Sequence, residues 1–314
     1  MKAFILTEAG GTENLSLREI ETPQPKEGEV LVNVRALSIN PVDIKTRKGG
    51  ALLASMKESG PVILGWDISG VITAVGAGVT TFKEGDEVFG MVNFPGHGKA
   101  YAEYVAVPAA HLALKPPTIS HNEAAATTLA ALTAWQVLVQ QAALQKGQHV
   151  FIHAAAGGVG HFAVQIANYF GATITGTASE ANREFLQSLG VHHFIDYTKE
   201  DFTKAAKEVD IVLDPLGGET TLKSLSVVKK GGTLVSIVGG AKEPVQQRAA
   251  EKGVTAKNYL VHSSGEDMRQ LAVLLQEGTL RPVVSHVFSF DQMAAAHQQI
   301  ESGRTRGKIV VTIP

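Results

Sequence analysis

Val150–Ala172, VFIHAAAGGVGHFAVQIANYFGA, reads as an apolar strand, a glycine turn and an amphipathic helix, in that order. Ala155, Gly157 and Gly160 fall on the three slots of G-x-G-x-x-G, with alanine in the first. Glycine in such a corner allows a tight turn and a close approach of backbone to a pyrophosphate. The helix N-terminus then offers N–H groups and a partial positive charge. Ala156, Gly157, Gly158, Val159 and Gly160 are therefore the candidate pyrophosphate cradle. A strand-to-helix corner with no ligand reads the same way in isolation. Here the strand HVFIHA precedes the turn, a helix follows, and a second strand ends about twenty residues later, which is the context a dinucleotide site requires.

The end of that second strand bears on the cofactor. A site for NAD usually places Asp or Glu there to bind the ribose hydroxyls. This strand ends GTAS, and Ser179 stands where the acid is expected. SEANRE supplies Ser179, Asn182 and Arg183, and a hydroxyl with a guanidinium suits a 2′-phosphate. The expectation is NADPH, with Ser179 and Arg183 as phosphate ligands. Glu180 is the argument against it, and the plain alternative is a helix cap at Ser179 followed by a solvated Arg183.

Outward from this core, the texture of the chain changes once. Residues 1 to about 120 carry short β-branched runs between turn signals, among them KAFILT, EVLVNVRAL and YAEYVAV. Asn40 before Pro41 predicts a helix start inside that half. At Ser120 a capping box, SHNE, opens an Ala-rich helical run to about Leu144. Strands and helices then alternate, with helices expected near 159–170, 180–189, 199–207 and 218–229 and a strand at NYLVHS, 258–263. Such βαβ alternation with apolar strands predicts a parallel sheet covered on both faces. The tail beyond about 264 is expected to fold back on the N-terminal half.

Composition narrows the function. The 314 residues include no cysteine, which removes disulfides, thiolate nucleophiles and Cys-ligated zinc together. Apolar content of 44% and charged content of 18% are those of a globular protein. A net charge of −2 without a basic block argues against a nucleic-acid footprint. The longest mildly apolar run, Ala124–Val139, is shorter than the ~20 residues a membrane span needs. A cytoplasmic protein with no membrane partner is expected.

Beyond these readings the chain resembles the quinone oxidoreductase branch, zinc-free and zeta-crystallin-like, of the medium-chain dehydrogenase/reductase superfamily. The resemblance rests on nine separated motifs: SINPVDIKTRKG (38–49), LGWDISGVITAVGAGV (64–79), GDEVFG (85–90), AYAEYV (100–105), ALTAWQ (131–136), HAAAGGVG (153–160), LDPLGGE (213–219), GGTLVSIVG (231–239) and ESGRTRGKIVV (301–311). It implies an α/β protein with a GroES-like β-rich domain, residues 1–121 and 265–314, and an inserted Rossmann doubly wound parallel-sheet domain, residues 122–264. The active site is expected in the cleft between them.

The departures from the family pattern are informative. Alcohol-oxidising members bind zinc through a Cys where this chain has Asn40 and a His where it has Trp66, in Gly65-Trp66-Asp67. The four-cysteine lobe is absent, with MVNFPGHGKAYAEY in its place, and His97 is the one nearby candidate ligand. No metal is expected. Alcohol oxidation on this fold needs a Lewis acid, whereas a quinone or enone is already conjugated and accepts hydride without one. The resemblance thus implies NADPH-dependent reduction of a quinone or an α,β-unsaturated carbonyl.

It also implies roles for single residues. Asn40 is a candidate donor to the substrate carbonyl or the nicotinamide, or simply the helix cap. Asp43 is a candidate catalytic group, or a first-turn acid favoured by the helix dipole. Tyr197 matches a contact to the adenosine phosphate, Thr133 a position near the nicotinamide amide, and Gly239 a close approach of backbone to the nicotinamide. Arg304 and Lys308 either reach the cleft or lie on solvated surface. RKGGALLASMKESGP (47–61) and VNFPGHGKAY (92–101) are expected as mobile loops at the pocket mouth. Relatives pair through the edge strand, expected here near 258–263, so a homodimer is anticipated. Two rival readings stay open: an enoyl-thioester reductase of the same superfamily, and a non-catalytic NADPH-binding protein of crystallin-like or RNA-associated type.

Overall fold

The sequence alternation that predicts strands in the first half places them in a computed structural model describing residues 1–57 and 60–314. In chain order come β1 (Lys2–Leu6), β2 (Leu15–Glu19), β3 (Glu29–Ile39), α1 (Pro41–Arg47), α2 (Leu52–Lys57), β4 (Asp67–Val75), β5 (Glu87–Met91), β6 (Tyr104–Pro108) and β7 (Leu112–Leu114). β3 is the organising strand. It is apolar enough to be buried along most of its length, and it pairs antiparallel with both β4 and β6. α1 starts where Asn40 and Pro41 predict, and the Asn40 backbone N–H donates to Asp43 Oδ2 at 2.6 Å.

The capping box at Ser120 is also formed. Ser120 N–H donates to Glu123 Oε2 at 2.8 Å and Glu123 N–H to Ser120 Oγ at 3.3 Å, opening α3 (His121–Trp135), which runs on as a wider π turn over Gln136–Gln141. Then follow β8 (His149–Ile152), α4 (Gly158–Tyr169), β9 (Thr173–Ala178), α5 (Arg183–Ser188), β10 (His193–Asp196), α6 (Phe202–Ala205), β11 (Val209–Asp214), α7 (Gly218–Ser224), β12 (Val228–Ser236), α8 (Val245–Lys252) and β13 (Thr255–Asn258). The strands form a six-stranded parallel sheet in the order β10-β9-β8-β11-β12-β13. Phe151 on β8 packs with Ile195, Val212 and Leu234, each buried side chain contributing about 1.5–3 kcal/mol.

The tail carries α9 (Gly265–Gln276), β14 (Val284–Ser289), α10 (Met293–Glu301) and β15 (Lys308–Thr312). β15 pairs with Ala36–Ile39 of β3, so the second sheet runs β14-β15-β3-β4-β5-β7, with β6 on β3. Two units result. The first is Met1–Leu132, His262–Gly278 and Pro282–Pro314; the second is Thr133–Val261 and Thr279–Arg281. Among the described residues no helix is long and apolar enough to cross a membrane.

Several local expectations change. The edge strand is Thr255–Asn258, not 258–263: β12 leaves the sheet after Ser236, which pairs with Asn258, so residues beyond have no strand to follow. The helix expected to reach 229 stops at Ser224, because Val228 already pairs with Val209. The helix expected over 199–207 shrinks to α6, whose cap is Asp201: Thr203 N–H donates to its carboxylate at 3.0 Å. α2 falls within the stretch 47–61 expected as a loop, and α8 follows β12 where no helix is expected.

Candidate active site

The glycine turn is built by β9 as much as by β8. Beyond β8 the chain bends at Ala154, whose φ of +47° is left-handed. Ala154 N–H donates to Thr177 Oγ1 at 3.2 Å, and Ala155 N–H to Thr177 O at 2.9 Å. α4 then begins at Gly158, and the N–H groups of its first turn have no acceptor within the helix. A Cβ on Gly160 would lie 2.4 Å from Ala154 O and 2.6 Å from Ala155 Cα, so only glycine lets the helix rise this close to the turn. Gly157 is looser, with Ala154 O at 3.2 Å from its Cβ position. The clustered N–H donors, the glycines and the positive end of α4 fit a pyrophosphate. Gly176 on β9 belongs to the same design: its Cβ would come within 3.0 Å of Ala155 Cβ. A lone glycine in a strand pattern is a signal for such an approach, and the sequence reading passed over it.

Ser179 follows β9, and its Oγ accepts from Asn182 Nδ2 at 3.2 Å. Arg183 is not simply solvated. Its Nε and Nη2 donate to the two Glu180 carboxylate oxygens at 2.5 and 3.0 Å, and its Cζ stands 4.2 Å above the Phe194 ring. Lys199 Nζ lies 3.8 Å from Glu180 Oε2 and 3.5 Å from Asp196 Oδ2. The hydrogen bond from Arg183 holds the Glu180 carboxyl below its ordinary range. Tyr197, next to this corner, is 63% exposed, which leaves its ring available to a ligand or to water.

At the ends of β11 and β12, two loops are locked together. The Asp214 carboxylate accepts from Leu216 N–H at 2.9 Å, Gly217 N–H at 3.1 Å and Thr221 Oγ1 at 2.5 Å. Gly239 has φ +79°, and a Cβ there would meet only Lys242 Cε, at 3.8 Å. The tight position is its neighbour Gly240, whose Cβ would reach 2.2 Å from Thr221 Oγ1 and 3.0 Å from Gly217 Cα. Thr133, on α3, is buried.

The first unit holds a buried polar network. Asn40 Nδ2 donates to Asp67 Oδ2 at 2.7 Å, and Leu129 N–H donates to Asp67 Oδ1 at 3.0 Å. Lys308 Nζ donates to Asn40 Oδ1 and to Ile39 O at 3.3 Å, and stands 3.6 Å from Asp67 Oδ2. Burial pulls Asp67 and Lys308 toward their neutral forms, while their mutual attraction opposes it. The acceptors around Nζ favour the ammonium. Asp43 is fully buried; burial, reinforced by the Asp67 charge, pushes its carboxyl up to about 7 against the Asn40 hydrogen bond. Tyr101 OH and His297 Nε2 are 2.9 Å apart, and burial, aided by the Arg47 charge, brings His297 down to about 3. Arg47 and Lys48 both pair with Glu301.

Asn40 and Asp43 both lie in this network. Neither side chain reaches the surface, and both ends of the Asn40 amide are engaged by Asp67 and Lys308. Asn40 stands at the cap of α1 and Asp43 in its first turn, the helix-start positions also read for them from the sequence. Lys308 is likewise buried, not solvated, whereas Arg304 is exposed. Trp66 is buried, with Nε1–H donating to Gly96 O at 2.7 Å. His97 Nε2 lies 3.0 Å from Ile63 O, and burial lowers its pKa to about 4. The stretch 92–101, expected to be mobile, is pinned: Phe94 N–H donates to Ser263 Oγ at 2.8 Å, and Tyr101 is fully buried. In the other expected loop Leu52–Lys57 is helical, and Glu58 and Ser59 lie outside the described residues.

The network carries a pH signature. The folded pKa of His297, about 3, lies below its ordinary 6.5, so its contribution to stability grows as pH rises toward that value. Asp43 acts oppositely: its folded pKa, about 7, exceeds 3.8, so its contribution fades as pH climbs from about 4 to about 7. Asp43→Asn keeps an acceptor for Asn40 N–H and abolishes the second effect. Relative to wild type, the variant gains stability with rising pH, by up to about 1.4 kcal/mol per pH unit. Urea midpoints for both proteins at mildly acidic and mildly alkaline pH check this, and parallel profiles would remove Asp43 from the account.

Comparison with known proteins bears on the chemistry. Residues 26–117 match the family model described as alcohol dehydrogenase GroES-like domain, and residues 189–311 the one described as zinc-binding dehydrogenase. A 2-methylene-furan-3-one reductase from Solanum lycopersicum is 36% identical over 99% of this chain and 79% of its own length. A chloroplastic NADPH-dependent alkenal/one oxidoreductase from Arabidopsis thaliana is 34% identical, with the same coverage of 99% and 79%. The solved quinone oxidoreductase from Coxiella burnetii superposes with a TM-score of 0.94 at 36% identity, covering 100% of this chain and 99% of that one.

Proposed function

We propose that this chain, which belongs to the zinc-free quinone oxidoreductase branch of the medium-chain dehydrogenase/reductase superfamily, reduces a quinone or an α,β-unsaturated carbonyl with hydride from NADPH. The carrying observation is the pair of residues at the family's metal-ligand positions. Asn40 is bound to Lys308 and Asp67, and the Trp66 indole fills its site and donates to Gly96 O. The indole has no lone pair for a metal and the buried Asn40 oxygen is taken up by the Lys308 ammonium, which supports an electrophile already activated by conjugation.

Bound NADPH supplies the hydride. The protein's part is placement. Ala156–Gly160 hold the pyrophosphate against the positive end of α4. Ser179 and Arg183 meet the 2′-phosphate, with Tyr197, Thr133, Gly239 and Arg304 as further cofactor contacts. Reduction of the conjugated acceptor creates a delocalised anion that takes its proton from solvent or a hydrogen-bond donor. Pairing into a homodimer through β13, the edge strand of the parallel sheet, and residence in the cytoplasm complete the proposal.

The test follows NADPH and NADH oxidation with a benzoquinone, a phenanthrenequinone, an alkenal, an alkenone and crotonyl-CoA, each with and without a chelator. Chelator-resistant turnover that favours NADPH on a quinone or enone is expected. Turnover lost to the chelator, or confined to crotonyl-CoA, overturns the reading. The mass of the same preparation by light scattering tests the dimer.

A further inference from the structure

The corner at the end of β9 holds more charge than the 2′-phosphate reading uses. Glu180, Arg183 and Lys199 form a triangle in which one carboxylate is gripped by two cations. Arg183 gives it a two-point grip, and Lys199 approaches the same oxygen that Arg183 Nη2 holds. Asp196 shares the corner: its Oδ2 lies 3.5 Å from Lys199 Nζ, so Lys199 stands between two carboxylates, whereas Arg183 grips Glu180 alone. Asp196 Oδ1 accepts from Thr198 N–H at 3.0 Å and Thr198 Oγ1 at 2.7 Å, and Glu200 Oε1 accepts from Asp196 N–H at 3.3 Å. Arg183 also has a second support independent of Glu180, the Phe194 face beneath its guanidinium.

Two cations around one anion is the arrangement a phosphate would find, with the anion supplied by the chain itself. A carboxylate and a 2′-phosphate cannot both take the two-point grip of Arg183 without like charges in contact. We propose that Glu180 is an internal surrogate for the cofactor's 2′-phosphate, holding Arg183 and Lys199 in the free protein and yielding them when NADPH binds. Lys199 thereby joins Arg183 as a phosphate ligand, and Glu180 sets the ratio of NADPH to NADH affinity. NADH brings no 2′-phosphate, so the clasp stays shut and its binding does not depend on the exchange. The inference rests on the reading of Ser179 and Arg183 as the 2′-phosphate site. Phe194 keeps the guanidinium in place as the carboxylate leaves, so the exchange needs little reordering of the corner.

The test is calorimetric binding of 2′,5′-ADP, NADPH and NADH to wild type, Glu180→Gln, Arg183→Ala and Lys199→Ala. All three side chains are at least partly exposed. Glu180→Gln removes one like charge beside the phosphate, and is expected to tighten 2′,5′-ADP and NADPH roughly five- to tenfold while NADH stays within about twofold. Lys199→Ala is expected to weaken the two ligands with a 2′-phosphate, 2′,5′-ADP and NADPH, alone. An unchanged or weakened 2′,5′-ADP affinity in Glu180→Gln, or an equal gain for NADH, overturns the surrogate role. Selective loss of NADPH in Arg183→Ala beside a silent Glu180→Gln leaves the phosphate site standing and removes only this inference. No selective loss in Arg183→Ala removes the assignment of Arg183. A gain in Glu180→Gln that survives there supports the surrogate acting on Lys199.

Discussion

Lys308→Met is expected to destabilise the protein by about 3–5 kcal/mol, a large part of the roughly 5–15 kcal/mol that holds a domain folded. The substitution keeps most of the length of the side chain and removes its charge and its hydrogen-bond donors. What it leaves behind is the Asp67 carboxylate, fully buried, with the Asn40 amide and Leu129 N–H as its remaining partners. Ile39 O and Asn40 Oδ1 lose their donor at the same time. Most of the cost is thus an uncompensated buried charge rather than a lost attraction, and that distinction can be measured. Lys308→Met combined with Asp67→Asn removes both charges of the pair and keeps an acceptor for Leu129 N–H. The pair is expected to recover at least half of the single variant's loss in urea unfolding. A Lys308→Met midpoint equal to wild type, or a double variant worse than the sum of the singles, would show that the ammonium does not neutralise Asp67.

Gly160→Ala is expected to weaken NADPH binding roughly a hundredfold, the cost of misplacing a binding element by about 1 Å. The added methyl would meet backbone atoms of Ala154 and Ala155 at 2.4–2.7 Å. Backbone of this kind cannot turn aside, because Ala154 and Ala155 are hydrogen-bonded to Thr177 on β9. α4 has to move instead, taking its N-terminal N–H groups with it. Gly157→Ala is the control: its methyl meets one oxygen at 3.2 Å, and a loss of a few-fold is expected. Titration of protein fluorescence with NADPH reads both variants. Wild-type affinity in Gly160→Ala would mean that the pyrophosphate does not sit on this turn.

Local signals in the sequence were legible because their partners are close along the chain. The glycine turn, the cap at Asn40 and the box of Ser120 with Glu123 each join residues a few positions apart. The grip of Arg183 on Glu180 was within reach on the same ground, since the two are three residues apart at a helix start. The Asn40, Asp67 and Lys308 network was not legible. Asn40 and Lys308 are 268 positions apart, and a Lys between Gly307 and Ile309 reads as readily as a solvated strand end. The extent of β13 was equally hidden, since it depends on where β12 leaves the sheet rather than on the residues of 258–263. Gly240 and Gly176 escaped notice because what they avoid lies across the fold: Thr221 and Gly217 for one, Ala155 for the other.

The return of β15 to β3 has a consequence for synthesis. As the chain leaves the ribosome, β1 to β7 emerge early, and β4 can pair with one edge of Ala36–Ser38, but the other edge of Ala36–Ile39 lacks its partner until Ile309–Thr312 have appeared. The six strands of the parallel sheet are contiguous in sequence and can assemble while the first half waits. During that wait a bare length of β3 is open to any passing strand, and the Asp67 carboxylate lacks its cation. β15, far along the chain from β3, is thus the strand that closes the sheet, and Lys308 at its start neutralises the interior. A chain released before Lys308 carries every strand of the parallel sheet and an incomplete first unit.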